Sequence, residues 1–178
     1  MATFKKLIPQ NREITLAFGT ILFCICSWSV RAFLYKVPSF LLYMDVGEIG
    51  SVFAYMMAFA LLESLLVQFV MIIPAMFLPG KWFREGFSYK AFLVIIVAAV
   101  SSIYYQDSLT YTYSGSRTIL IWLGLTFLAM VILVILSILI KPLPRILSII
   151  VDQFNIFLYI YGSIGVISLV VVLYRLIV

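Results

Sequence analysis

Long apolar runs alternate with short polar stretches along the whole chain. Five runs stand out: Ile14 to about Tyr35, Ile49 to Ile73, Phe87 to Tyr105, Thr118 to Ile140 and Phe154 to Tyr174. A helix needs about 20 predominantly apolar residues to cross the hydrocarbon core of a bilayer, and each run meets that length. The pattern predicts an all-α fold: a polytopic membrane protein whose residues 1–178 form a single bundle of about five transmembrane helices with short loops. The third run is the shortest, and a four-span arrangement without it is the alternative. Between runs four and five, Arg145 to Asp152 reads as a short helix lying along the interface. In the first long loop, Ser39 after Pro38 is placed to cap another short helix.

Composition narrows the class. The chain is 65% hydrophobic and 11% charged, against roughly 45–50% and about 25% in soluble domains. That excludes a soluble globular protein, and equally a disordered one, which needs low hydrophobicity and high charge. No loop is long enough to hold a soluble catalytic domain. The chain has no His, which removes the commonest general base and metal ligand.

Charge position then predicts orientation. Lys5, Lys6, Arg12, Lys81, Arg84, Lys90, Lys141 and Arg145 fall on one side of the predicted spans. Arg31, Lys36, Arg117 and Arg175 fall on the other. The excess of basic residues places the N-terminus in the cytoplasm and the C-terminus outside, in a plasma or inner membrane. The first run is too long for a cleaved signal and reads as a retained anchor. The basic loops, with turns at Pro79-Gly80-Lys81-Trp82-Phe83-Arg84 and Lys141-Pro142-Leu143-Pro144-Arg145, suit anionic headgroups on the cytoplasmic face. They account for the net charge of +5, so nucleic acid is not implied.

Glu63 is the residue that the pattern does not absorb. It lies near the middle of the second run, where a charge costs roughly 2.5–3.5 kcal/mol on insertion scales. It is expected to be protonated or paired within protein. Depth matching makes Tyr161 and Ser163 on the fifth run, and Cys24 on the first, its expected partners, with a contact to another subunit or a proton-linked site as alternatives. Direct pairing with Arg31 is not expected. Gln68 reads as a packing residue.

Two features mark the outer side. Asp45 and Glu48 lie three apart, so a helix would point both the same way. With Asp107 they form a candidate acid/base or cation site, or else Asp45 and Glu48 are simply the first turn of the second helix. Tyr111 and Tyr113, in a stretch rich in Ser, Thr and Gly, suit either a lid over the bundle or an adhesive surface.

Small residues mark close helix approach. Gly50, Ala54 and Ala58 form one stripe, and Gly162, Ser163 and Gly165 another. Cys24 and Cys26 diverge around a helix and read as packing residues rather than a disulfide. There is no phosphate-binding loop, HExxH, CxxC or nucleophile elbow. No catalytic residue, metal site or cofactor is therefore expected.

Three functions follow as expectations. The first is a non-catalytic membrane subunit or accessory protein, with other membrane subunits as partners. The second is a small transport or lipid-handling component using a protonatable Glu63. The third is a membrane enzyme with an outer carboxylate site.

Overall fold

A computed structural model of the chain describes residues 9–77, 83–108, 116–140 and 143–177. They form five helices: α1 (Asn11–Phe40), α2 (Val46–Phe77), α3 (Phe87–Ser108), α4 (Ser116–Leu139) and α5 (Leu143–Ile177). No strand occurs among the described residues. All five helices are long and apolar enough to cross a membrane.

The helices run past the apolar stretches that predict them. An apolar run marks only the part of a helix that suits lipid, whereas the i→i−4 ladder continues for as long as it satisfies the backbone. The largest difference is at α5. The predicted interfacial helix at Arg145–Asp152 is instead the opening of one continuous helix of 35 residues. Leu147 and Val151 are buried, so this segment is held by the bundle rather than by headgroups. Pro144 occupies the first turn of α5, where its missing N–H leaves no bond unmade. Ser39 likewise caps no separate helix, because α1 continues through Pro38 and Ser39 to Phe40.

Cross-helix contacts fix the directions. On α2, the Gln68 amide donates to the Ile14 carbonyl at 3.4 Å and Phe53 meets the Phe33 ring, so α1 and α2 are antiparallel. Glu13 meets the start of α3, while Arg12 and Ser27 meet Asp152 and Tyr161 of α5. Helices α3 and α5 therefore run with α1. On α4, Thr126 and Trp122 meet Ser101 and Tyr105 of α3, which sets α4 antiparallel to α3.

Helix α1 is the hub, packing against α2, α3 and α5. One core cluster joins Leu22 and Cys26 of α1 to Met57, Ala60 and Leu61 of α2. A second joins Ala17 and Ile21 to Met71, Ala75, Phe87, Ala91 and Ile95, nearer the end where α1 begins. Two glycines permit the closest approaches. A Cβ on Gly19 would stand 3.0 Å from the Phe154 carbonyl oxygen of α5, and one on Gly165 would stand 3.1 Å from Leu61 Cβ. Gly86, with φ +70°, turns the chain into α3, and a Cβ there would collide with the Tyr89 ring. By contrast α4 touches mainly α3, and most of its large side chains are exposed.

Candidate functional site

Helix α2 divides the bundle. Its Leu61 face meets α5, while Glu63, two residues and about 200° further round, points elsewhere. Glu63, Val67 and Met71 follow one another at helical spacing and form one wall of a groove of about 670 Å³. The opposite wall is α3, with Val94, Ile95, Ala98, Ala99, Ser102 and Ile103, and the floor is α1, with Ile21, Cys24, Trp28 and Arg31. The groove exists because α2 and α3 both pack on α1 but hardly on each other. Small side chains at Ala98, Ala99 and Ser102 hollow out the α3 wall. Met71 and Ile95 are buried in the shared cluster and close the end nearer the start of α1. Towards the α1–α2 turn the groove opens, and Trp28, Arg31 and Ser102 are exposed.

The groove is apolar apart from a few positions. Glu63 is exposed on its wall, and no hydrogen bond or ion pair to it occurs among the described residues. Arg31 lies at the open end, its guanidinium 5.1 Å from the centre of the Trp28 ring on the same helix. That contact is worth about 0.5–1 kcal/mol at an exposed site, and no carboxylate among the described residues pairs with Arg31. The antiparallel register of α1 and α2 separates Glu63 and Arg31 by roughly 15 Å along the bundle, at 1.5 Å per residue.

The expected link between Glu63 and α5 is not made. Tyr161 Oη instead shares a hydrogen bond with Ser27 Oγ at 3.2 Å, and its ring stacks on Phe157. Ser163 is exposed and donates to the Tyr159 carbonyl of its own helix. The reason is rotation: the close approach of α5 at Gly165 brings Leu61, not Glu63, to the interface. Of the small residues, Ala54, Ala58 and Gly165 are buried. A Cβ at Gly50 or Gly162 would meet nothing within 4 Å, so neither marks a close contact.

On the side of the α1–α2 turn, Asp45 and Glu48 form a helix start rather than a ligand pair. The Glu48 carboxylate accepts from the Asp45 backbone N–H at 3.1 Å, one half of a capping box. Tyr111 and Tyr113 lie outside the described residues, as does the side chain of Asp107. Cys24 lines the groove and Cys26 is buried, both as free thiols.

Several charges have roles that spacing alone does not reveal. Glu13 of α1 accepts from the Phe87 backbone N–H at 3.1 Å, and so serves the exposed donors at the start of α3 from a different helix. Lys90, expected among the headgroup-facing charges, is 1% exposed. Its ammonium donates to the Glu85 carbonyl at 2.7 Å and lies 5.4 Å from the centre of the Tyr89 ring. The turn ending at Gly86 folds it back against the bundle. Arg12, in contrast, does stay exposed and pairs with Asp152 at 3.3 Å.

Comparison with known protein families, with curated proteins and with solved structures finds no match to this chain.

Proposed function

We propose that the chain is a non-catalytic membrane subunit or accessory protein that docks laterally on a larger membrane complex. In this reading the N-terminus is cytoplasmic, the C-terminus is outside, and the groove opens toward the outer leaflet. The observation that carries it is Glu63: a carboxyl group halfway along an apolar helix, on the wall of an open groove, with no partner from its own chain among the described residues. In hydrocarbon that arrangement costs several kcal/mol unless something outside the chain meets the carboxyl. Another membrane protein supplies such a partner, whereas lipid tails do not.

The test is photocrosslinking in native membranes. A photoreactive residue in place of Val67, one turn from Glu63 in the groove, is expected to give a discrete protein adduct that Glu63→Leu weakens. The same probe in place of Leu125, an exposed position on α4, is expected to give only lipid adducts. Lipid adducts alone at both positions would remove the subunit reading. A second reading, lipid handling through a protonatable Glu63, is favoured by the open groove itself. It requires Glu63→Gln to abolish activity or shift its pH dependence.

A further inference from the structure

We infer that the groove receives a transmembrane helix of a partner protein with a defined charge pattern: a basic side chain level with Glu63, and an acidic one about ten residues nearer the end where Arg31 lies. The inference rests on the lateral-docking reading above and specifies the chemistry of the partner.

Two groups at the groove lack a complement of opposite charge among the described residues. Glu63 lies midway along α2 on one wall, and Arg31 lies at the open end of the floor. Their separation of roughly 15 Å along the bundle corresponds to about ten residues of helix. A straight helix laid between α2 and α3 runs parallel to both walls. It meets the two groups with side chains at that spacing, and its apolar residues fill the space beside Ala98, Ala99 and Ser102. A lipid satisfies only half of this pattern. A phosphate at Arg31 leaves an acyl chain against Glu63, and the chain offers the carboxyl nothing. Only a polymer with polar groups at two depths complements both. The order of signs also fixes direction, because a helix with the two charges exchanged sets acid against Glu63 and base against Arg31.

The experiment uses the full chain in phosphatidylcholine vesicles with dansylated, leucine-rich transmembrane peptides. One peptide carries a central Lys and a Glu ten residues away, a second carries Leu at both positions, and a third exchanges the two charges. Förster transfer from the protein's tryptophans, Trp28 among them, reports association. The Lys/Glu peptide is expected to associate about tenfold more tightly than the all-Leu peptide, as for a polar contact of 1–2 kcal/mol within a membrane. The exchanged peptide should show no such advantage. Glu63→Leu should abolish the preference, Glu63→Gln should retain part of it, and Arg31→Leu should reduce it by a smaller factor. Equal transfer from all three peptides, or a preference that survives Glu63→Leu, would overturn the inference. So would an Arg31-dependent signal from dansylated phosphatidylglycerol with no peptide preference, which would assign the groove to lipid. If photocrosslinking finds a partner while the peptides show no preference, lateral docking stands and this charge pattern falls.

Discussion

Leu61 and Glu63 are two residues apart on α2 and belong to different worlds. Leu61 is buried beneath Gly165, where α5 comes as close as a missing Cβ allows. Glu63 is exposed on the wall of a groove that α2 and α3 leave open. The first face is closed by shape, and the chain completes it alone. The second has space and a polar group that no other described residue complements. Hydropathy therefore does not distinguish the two faces of this helix. Both are predominantly apolar, and what separates them is which neighbour has given up volume. On α5 the small residue lets the helices close, whereas on α3 the small residues face a helix that stays apart.

The largest expected effect comes from breaking the closed side. Gly19 touches the backbone of α5, not a side chain that can swing away. Gly19→Leu therefore forces α1 and α5 apart at the hub. Overpacking of this kind costs typically 1–3 kcal/mol and more where backbone must move. Loss of the folded monomer, or a large fall in its thermal midpoint, is expected by size exclusion and thermal unfolding in mild detergent. A normal midpoint would show that the contact at Gly19 does not hold the bundle.

Leu61→Ala is expected to destabilise the monomer by about 2–5 kcal/mol, the range for a buried leucine truncated in a packed core. Glu63→Leu is expected to leave monomer stability within about 0.5 kcal/mol of the parent, as for other substitutions away from internal contacts. The two variants should thus separate in denaturant unfolding although their positions are almost adjacent. Comparable losses in both would mean that Glu63 contributes to the fold, and the groove would lose its claim as a docking surface.

Much of the architecture is legible in the sequence because membrane helices obey a simple rule of length and hydropathy. The five apolar runs anticipate the five helices, and the cost of an ionisable group among them singles out Glu63. Helix rotation is where the pattern stops. Assigning Tyr161 and Ser163 to Glu63 by depth is reasonable, but depth leaves the azimuth free, and it is Gly165 against Leu61 that sets it. The start of α5 is ambiguous for a similar reason. Leu147 and Val151 four apart, flanked by Arg145 and Asp152, suit an interfacial helix and a buried helix start equally well. Glu13 and Lys90 depend on where the turn before α3 comes to rest, which is a tertiary fact. Gly19, a lone glycine in an apolar run, gives no stripe to read.

The smallest effect is expected where the chain does form an ion pair. Arg12 at the start of α1 and Asp152, more than two turns into α5, join through a single contact at 3.3 Å, with the side chains 78% and 49% exposed. Exposed pairs of this sort contribute little, because water and salt screen them and two flexible side chains lose freedom to meet. Arg12→Ala should lower monomer stability by less than about 0.5 kcal/mol, and the small loss should vanish at high salt in the same thermal assay. A loss comparable to that of Leu61→Ala, persisting in salt, would mean that the pair sits in a drier environment than its exposure implies. Electrostatics at the margin of the bundle would then carry weight that packing carries elsewhere. A negligible loss sharpens the contrast in the other direction. Charge that meets charge at the margin adds little, whereas the carboxyl of Glu63, halfway along α2 and away from water in the membrane reading, is where an opposite charge has the most to contribute.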